Sequence, residues 1–71
     1  MLADVRIDGE KVKAVRERAF LSQRELAKKA GLNHNTVWRI EGSGAADAHP
    51  RTIRKIAEAL SVDPASLTPE K

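Results

Sequence analysis

Residues 22–41 read Ser-Gln-Arg-Glu-Leu-Ala-Lys-Lys-Ala-Gly-Leu-Asn-His-Asn-Thr-Val-Trp-Arg-Ile-Glu, and their pattern decides the fold. Ser22 with Glu25 is a capping box, in which each side chain satisfies a free backbone N–H at a helix start. Leu21 and Leu26 flank it at the spacing of a hydrophobic staple. Lys28 and Lys29 fall in the last turn, where cations suit the helix dipole, and Gly31 stands where a left-handed residue ends the helix. Asn33 then caps a second helix almost at once. So short a connection forces the two helices to cross steeply. Ala27 is small enough for close approach, and Val37 and Ile40 give the second helix its buried side.

Two short helices so joined form a helix-turn-helix. Ser-Gln-x-Glu-Leu-Ala-x-x-Ala-Gly-Leu followed by Asn-x-x-Thr-Val-x-Arg-Ile-Glu resembles the phage repressor and Cro-type (Xre) family. Gln23, Ala27, Gly31, Val37, Ile40 and Glu41 match in register, and the likeness runs on through Arg54-Lys55-Ile56-Ala57-Glu58-Ala59-Leu60 to Val62, covering roughly residues 8–68. The resemblance implies an all-α fold: a compact, lambda-repressor-like bundle of about five helices whose third enters the DNA major groove.

Outside the motif, residues 1–7 alternate too briefly to define a strand and read as an extended arm, with the domain proper over residues 8–71. Ile7 is placed to pack under the first helix. Asp8 caps that helix, Glu10 suits its first turn, and Val12, Val15 and Ala19 recur at helical spacing as its core stripe. Phe20, where relatives more often carry a small residue or glycine, reads as a bulky plug in the first interhelical turn. Residues 42–49 hold two glycines, no Lys or Arg and mostly small side chains, and read as a flexible loop. Pro50 opens a fourth helix that buries Ile53, Ile56, Ala57 and Leu60 and turns Arg51, Arg54 and Lys55 outward. Asp63-Pro64 starts a short fifth helix to Leu67, and Pro69 ends it.

The chain of 71 residues is one small domain with a modest core, and without cysteine it has neither disulfide nor thiol nucleophile. No apolar run reaches membrane-spanning length and residues 1–4 do not begin a signal peptide, which points to the cytoplasm. Thirteen Lys and Arg against ten Asp and Glu give +3, a mild bias towards anionic partners. Position says more than the total, since residues 22–41 carry Arg24, Lys28, Lys29 and Arg39 against Glu25 and Glu41. There is no nucleophile–base pair, carboxylate pair, metal cluster or glycine-rich phosphate loop, so an enzyme is not expected. His34 and His49, far apart and without Cys or acid at ligand spacing, make a poor metal site. No cofactor is implied.

With Val37 and Ile40 inward, at roughly 100° per residue, the opposite face of the second motif helix holds Asn35, Trp38 and Arg39, with Gly42 below and His34 at its edge. Outward residues at the start of such a helix reach base edges. Asn pairs bidentately with adenine and Arg with guanine, whereas a neutral His either reads a base or touches only phosphate. A solvated helix face is the bland alternative for Asn35 and Arg39, and it is the resemblance, in which the matching positions commonly read bases, that favours contact. Trp38 is open between pressing on a thymine methyl or the sugar backbone and leaning over residues 42–49. Ser22 and Gln23 open the first motif helix, a seat for phosphate, and Arg24 stands beside them. The resemblance implies that Gln23 contacts the DNA backbone and braces the recognition helix. Asn33 and Thr36 join the DNA-facing set, and Arg51 can replace the cations that relatives carry after the recognition helix. The expected function is a sequence-specific transcriptional regulator, a homodimer on a palindromic operator of double-stranded DNA, with Val62, Leu67 and Pro69 at the dimer contact. The alternative is a protein-binding adaptor or an antitoxin on the same fold.

Overall fold

The structure is a computed structural model and describes residues 5–69. In chain order it runs β1 (Val5–Asp8), α1 (Gly9–Arg18), α2 (Gln23–Ala30), α3 (His34–Ser43), β2 (Ala45–Ala48), α4 (Pro50–Leu60) and a single 3-10 turn (Pro64–Leu67). Among the described residues the expected all-α bundle is therefore four α-helices with a 3-10 turn in the fifth position, plus one small sheet. No helix among the described residues is long and apolar enough to cross a membrane.

The helix starts follow from single side chains. Asp8 Oδ1 accepts from the N–H of Glu10 and Lys11, Ser22 Oγ from Glu25, Asn33 Oδ1 from Asn35 and Asp63 Oδ1 from Ala65, each a free donor at a helix start. The capping box closes with Ser22 N–H donating to Glu25 at 2.8 Å. His49 caps α4 ahead of Pro50, its Nδ1 accepting from Arg51 N–H at 3.1 Å. Three of the ends share one geometry. A left-handed residue donates to the carbonyl three back, and the apolar residue after it donates to the carbonyl five back: Phe20 then Leu21, Gly31 then Leu32, Ser61 then Val62. Leu21, Leu32 and Val62 thereby fold back against the core.

Four expectations fail here. Residues 1–4 of the arm lie outside the described residues, but Val5–Asp8 is a strand, antiparallel to Ala45–Ala48 with Ile7 opposite Ala46 and Arg6 opposite Asp47. The segment after α3 is thus a paired strand and not a free loop. Main-chain pairing, prolonged by Gly9 N–H donating to Gly44 at 2.7 Å, supplies an order that so many alanines do not announce. Ile7 is fully buried. Phe20 is no plug: it is 91% exposed and sits at φ 60°, a conformation that Gly takes without strain. Ala19, placed on the core stripe of α1 by sequence, lies past the helix and is exposed.

The core is one cluster to which Ile7, Val12, Leu26, Val37, Ile40, Ile56 and Leu67 contribute fully buried side chains. The start of α1 crosses the end of α3 so closely that a Cβ on Gly9 would strike the Ile40 carbonyl and come within 3.1 Å of Glu41 Cα. Lys11 Nζ donates to Thr68 O at 3.0 Å and ties the last turn to α1. Leu67, expected at a dimer contact, is wholly inside the domain and cannot form one.

Candidate nucleic-acid interface

The recognition-type helix α3 exposes Asn35, Trp38, Arg39 and Gly42, spaced as one stripe along the helix, while Val37 and Ile40 are buried on the far side. The outward face read from the sequence is the outward face of the fold. Trp38 is 62% exposed. His34 and Thr36, in the first turn, are half-buried. Asn33 presents its Oδ1 to Asn35 N–H, so that oxygen is spent on the cap. Asn35 and Arg39 stand four residues apart, about 6 Å along the axis, or roughly two base-pair steps.

What holds this helix in place is a polar knot between α1, α2 and α3. Arg16 of α1 forks onto Glu41 of α3, Nε to Oε2 at 2.7 Å and Nη2 to Oε1 at 3.0 Å. The side chains are 10% and 3% exposed. Gln23 Nε2 donates to the same Oε1 at 3.0 Å, and Arg16 Nη1 donates to the Leu21 carbonyl at 2.6 Å. Three elements and the α1–α2 turn are thus fixed by one carboxylate and one guanidinium, with no buried side-chain polar atom left unpaired among the described residues. The hydrogen bond to Glu41 raises the Arg16 pKa above its ordinary value, helped by the charges of Glu41 and Glu17 and opposed by burial. Read from the sequence alone, Arg16 has no role of its own. Its signal was positional: a cation in step with the buried Val12 on an otherwise solvated helix.

Gln23 therefore braces the recognition helix through Glu41, and its remaining amide oxygen sits at the first turn of α2 beside the exposed Ser22 and Arg24. Arg51 is exposed in the first turn of α4, at the far end of β2 from Gly44. Between α3 and α4 the chain offers no cation, and Asp47 on β2 is exposed. Among the described residues no group of three or more His, Cys, Asp or Glu side chains is gathered to hold a metal ion, and His34 and His49 are not brought together as one.

A helix pair so capped and so joined, with Gln23 of the first helix bonded to Glu41 of the second, is a helix-turn-helix of the repressor and Cro-like kind. The chain belongs to the helix-turn-helix domain family, whose pattern matches residues 9–69. No curated protein matches it in sequence. Among solved structures it is similar to the restriction-modification controller protein C.AhdI from Aeromonas hydrophila, with 29% identity and a TM-score of 0.76 over 82% of this chain and 86% of that one. It is similar also to a variant of hydroxyethylphosphonate dioxygenase, with 29% identity and a TM-score of 0.80 over 93% of this chain. PhpD with cadmium and hydroethylphosphonate matches at 27% identity and a TM-score of 0.78 over the same share. The chain spans only 14% of the length of either of these last two.

Proposed function

We propose that this domain is a DNA-binding transcriptional regulator that lays α3 in the major groove and reads sequence with it. The observation that carries the reading is the exposed stripe Asn35–Trp38–Arg39–Gly42 on a helix whose opposite side is pinned by Arg16, Gln23 and Glu41. A rigid helix with bidentate donors outward is what base readout requires. In this reading Asn35 and Arg39 take base edges and His34 stands at their edge. Ser22, Gln23, Arg24, Asn33 and Thr36 line the phosphates from the motif, and Arg51 does so from α4. C.AhdI, by name a controller protein, supports regulation of this kind. The dioxygenase variant and PhpD lend no chemistry, since this chain covers only 14% of the length of either; we assign this domain no catalysis.

One recognition helix covers too few base pairs to select a site among a genome of competitors. The reading therefore includes a homodimer on a palindromic operator in the cytoplasm, with half-sites about 10 base pairs apart. Its contact must avoid the buried Leu67.

A protein-binding adaptor or antitoxin is the second reading, and the exposed Phe20 favours it. Selection from a random-sequence DNA pool with the purified protein separates the two. Enrichment of a defined motif is the outcome for a regulator, and recovery of no consensus is the outcome for an adaptor.

A further inference from the structure

Trp38 is the one tryptophan in the sequence, and it stands in the middle of the outward stripe with 62% of its surface open. Its stripe neighbours Asn35, Arg39 and Gly42 are exposed and polar or without a side chain, so the stripe itself offers the ring no apolar partner. One turn further on, the space a Cβ of Gly42 would occupy is empty to 4 Å, which leaves room for a duplex to close on the indole. Glu41, three residues after Trp38, ties the helix to α1 and α2, so the ring is carried by a backbone held from its other side.

A major groove is lined by donors and acceptors, and the apolar group on its floor is the C5-methyl of thymine. Cytosine methylated at C5 carries the same group. We infer that Trp38 reads the 5-methyl group of a pyrimidine close to the guanine taken by Arg39. The two residues are consecutive in α3, so they address neighbouring base pairs. This rests on the proposed reading of DNA by α3 and adds to it the chemical class of one base. Burial of the methyl against the indole offsets the exposure of an aromatic ring on a solvated helix, and it makes the modification state of the DNA visible to the protein.

The test starts from the duplex that random-sequence selection yields. Each thymine is replaced singly by deoxyuridine, which removes the methyl and keeps every hydrogen-bonding group. Affinity is measured for the wild type, Trp38→Ala and Trp38→Gln, whose folding is checked by helical circular dichroism. At one thymine of the site the wild type should lose about fourfold, the worth of one buried methyl group, and neither variant should notice the exchange. Emission from Trp38, the only indole present, should change more on binding the thymine duplex than the deoxyuridine one. Cytosine and 5-methylcytosine at that position then identify the source: a gain of about fourfold on methylation admits both bases, and equal binding restricts the site to thymine. If the wild type tolerates every exchange within twofold, or the variants lose as much as the wild type, the inference is wrong while sequence-specific binding stands. If selection yields no sequence, both fall.

Discussion

Replacing Arg16 by Ala strips Glu41 of two of its three donors and leaves it with Gln23 alone, in a place where its side chain is 3% exposed. It also removes the donor that the Leu21 carbonyl meets at 2.6 Å. Removing one partner of a buried pair costs about 3–5 kcal/mol, because a charge is left without compensation. At roughly 0.05–0.15 kcal/mol per residue the whole domain holds only about 4–10 kcal/mol, so the loss takes a large share of it. In a domain of this size the midpoint should fall on the order of 20 °C. Glu41 raises the pKa of Arg16, and a raised cation contributes its stability below the unfolded value and loses it only as pH rises through the folded one. Both values lie above the range in which proteins are handled, so Arg16 adds no pH dependence between about pH 5 and 9. Mutation is the route, with urea unfolding followed by far-ultraviolet circular dichroism, since the exposed Trp38 reports the core poorly. The double replacement Arg16→Met with Glu41→Leu should be less damaging than Arg16→Ala, as apolar packing takes over from the pair. A loss under about 1 kcal/mol for Arg16→Ala would refute the claim that this knot holds α3.

Phe20→Gly should stabilise the domain by up to about 1 kcal/mol, because it relieves a left-handed residue whose ring touches almost nothing; a drop in thermal midpoint would show that the ring packs after all. Gly9→Ala should cost about 1–3 kcal/mol or more through collision with the Ile40 carbonyl, and unchanged stability would mean that α1 and α3 can part without penalty. In DNA binding, Arg51→Ala should lower the slope of log affinity against log salt by about one and leave sequence preference intact, whereas an unchanged slope would place Arg51 off the phosphates.

The sequence announces what depends on short-range chemistry. Asp8, Ser22, Asn33 and Asp63 cap the helices they precede, Gly31 takes its left-handed turn, and the apolar stripes of α2, α3 and α4 are buried as their spacing requires. What it hides depends on partners distant in the chain. Ala45–Ala48 has no strand preference of its own and is ordered by hydrogen bonds to residues some forty positions earlier. Phe20 and Ser61 fill turns that elsewhere advertise themselves by glycine, because the six-residue bond and the inward Leu21 and Val62 override the local cost. Gly9 carries no turn signature; its reason is the Ile40 backbone lying where a side chain would stand. For the interface, the outward face of α3 was legible from periodicity alone, since Val37 and Ile40 fix the rotation of the helix. Its anchor was not, because a buried guanidinium looks in a linear sequence like any solvated cation.

If α3 reads bases through its outward residues, Arg39 is where the reading shows. It is exposed, cationic and able to fork onto guanine O6 and N7, whereas Lys28 is exposed on α2, away from the stripe. The measurement is a binding titration of wild type, Arg39→Ala and Lys28→Ala against every single-base variant of the selected duplex. Arg39→Ala should lose about 1–3 kcal/mol on the parent duplex and become indifferent to the base at one position, while Lys28→Ala keeps the wild-type ranking. If Arg39→Ala also keeps that ranking, α3 does not read DNA through Arg39, and the domain's exposed face serves a protein partner instead.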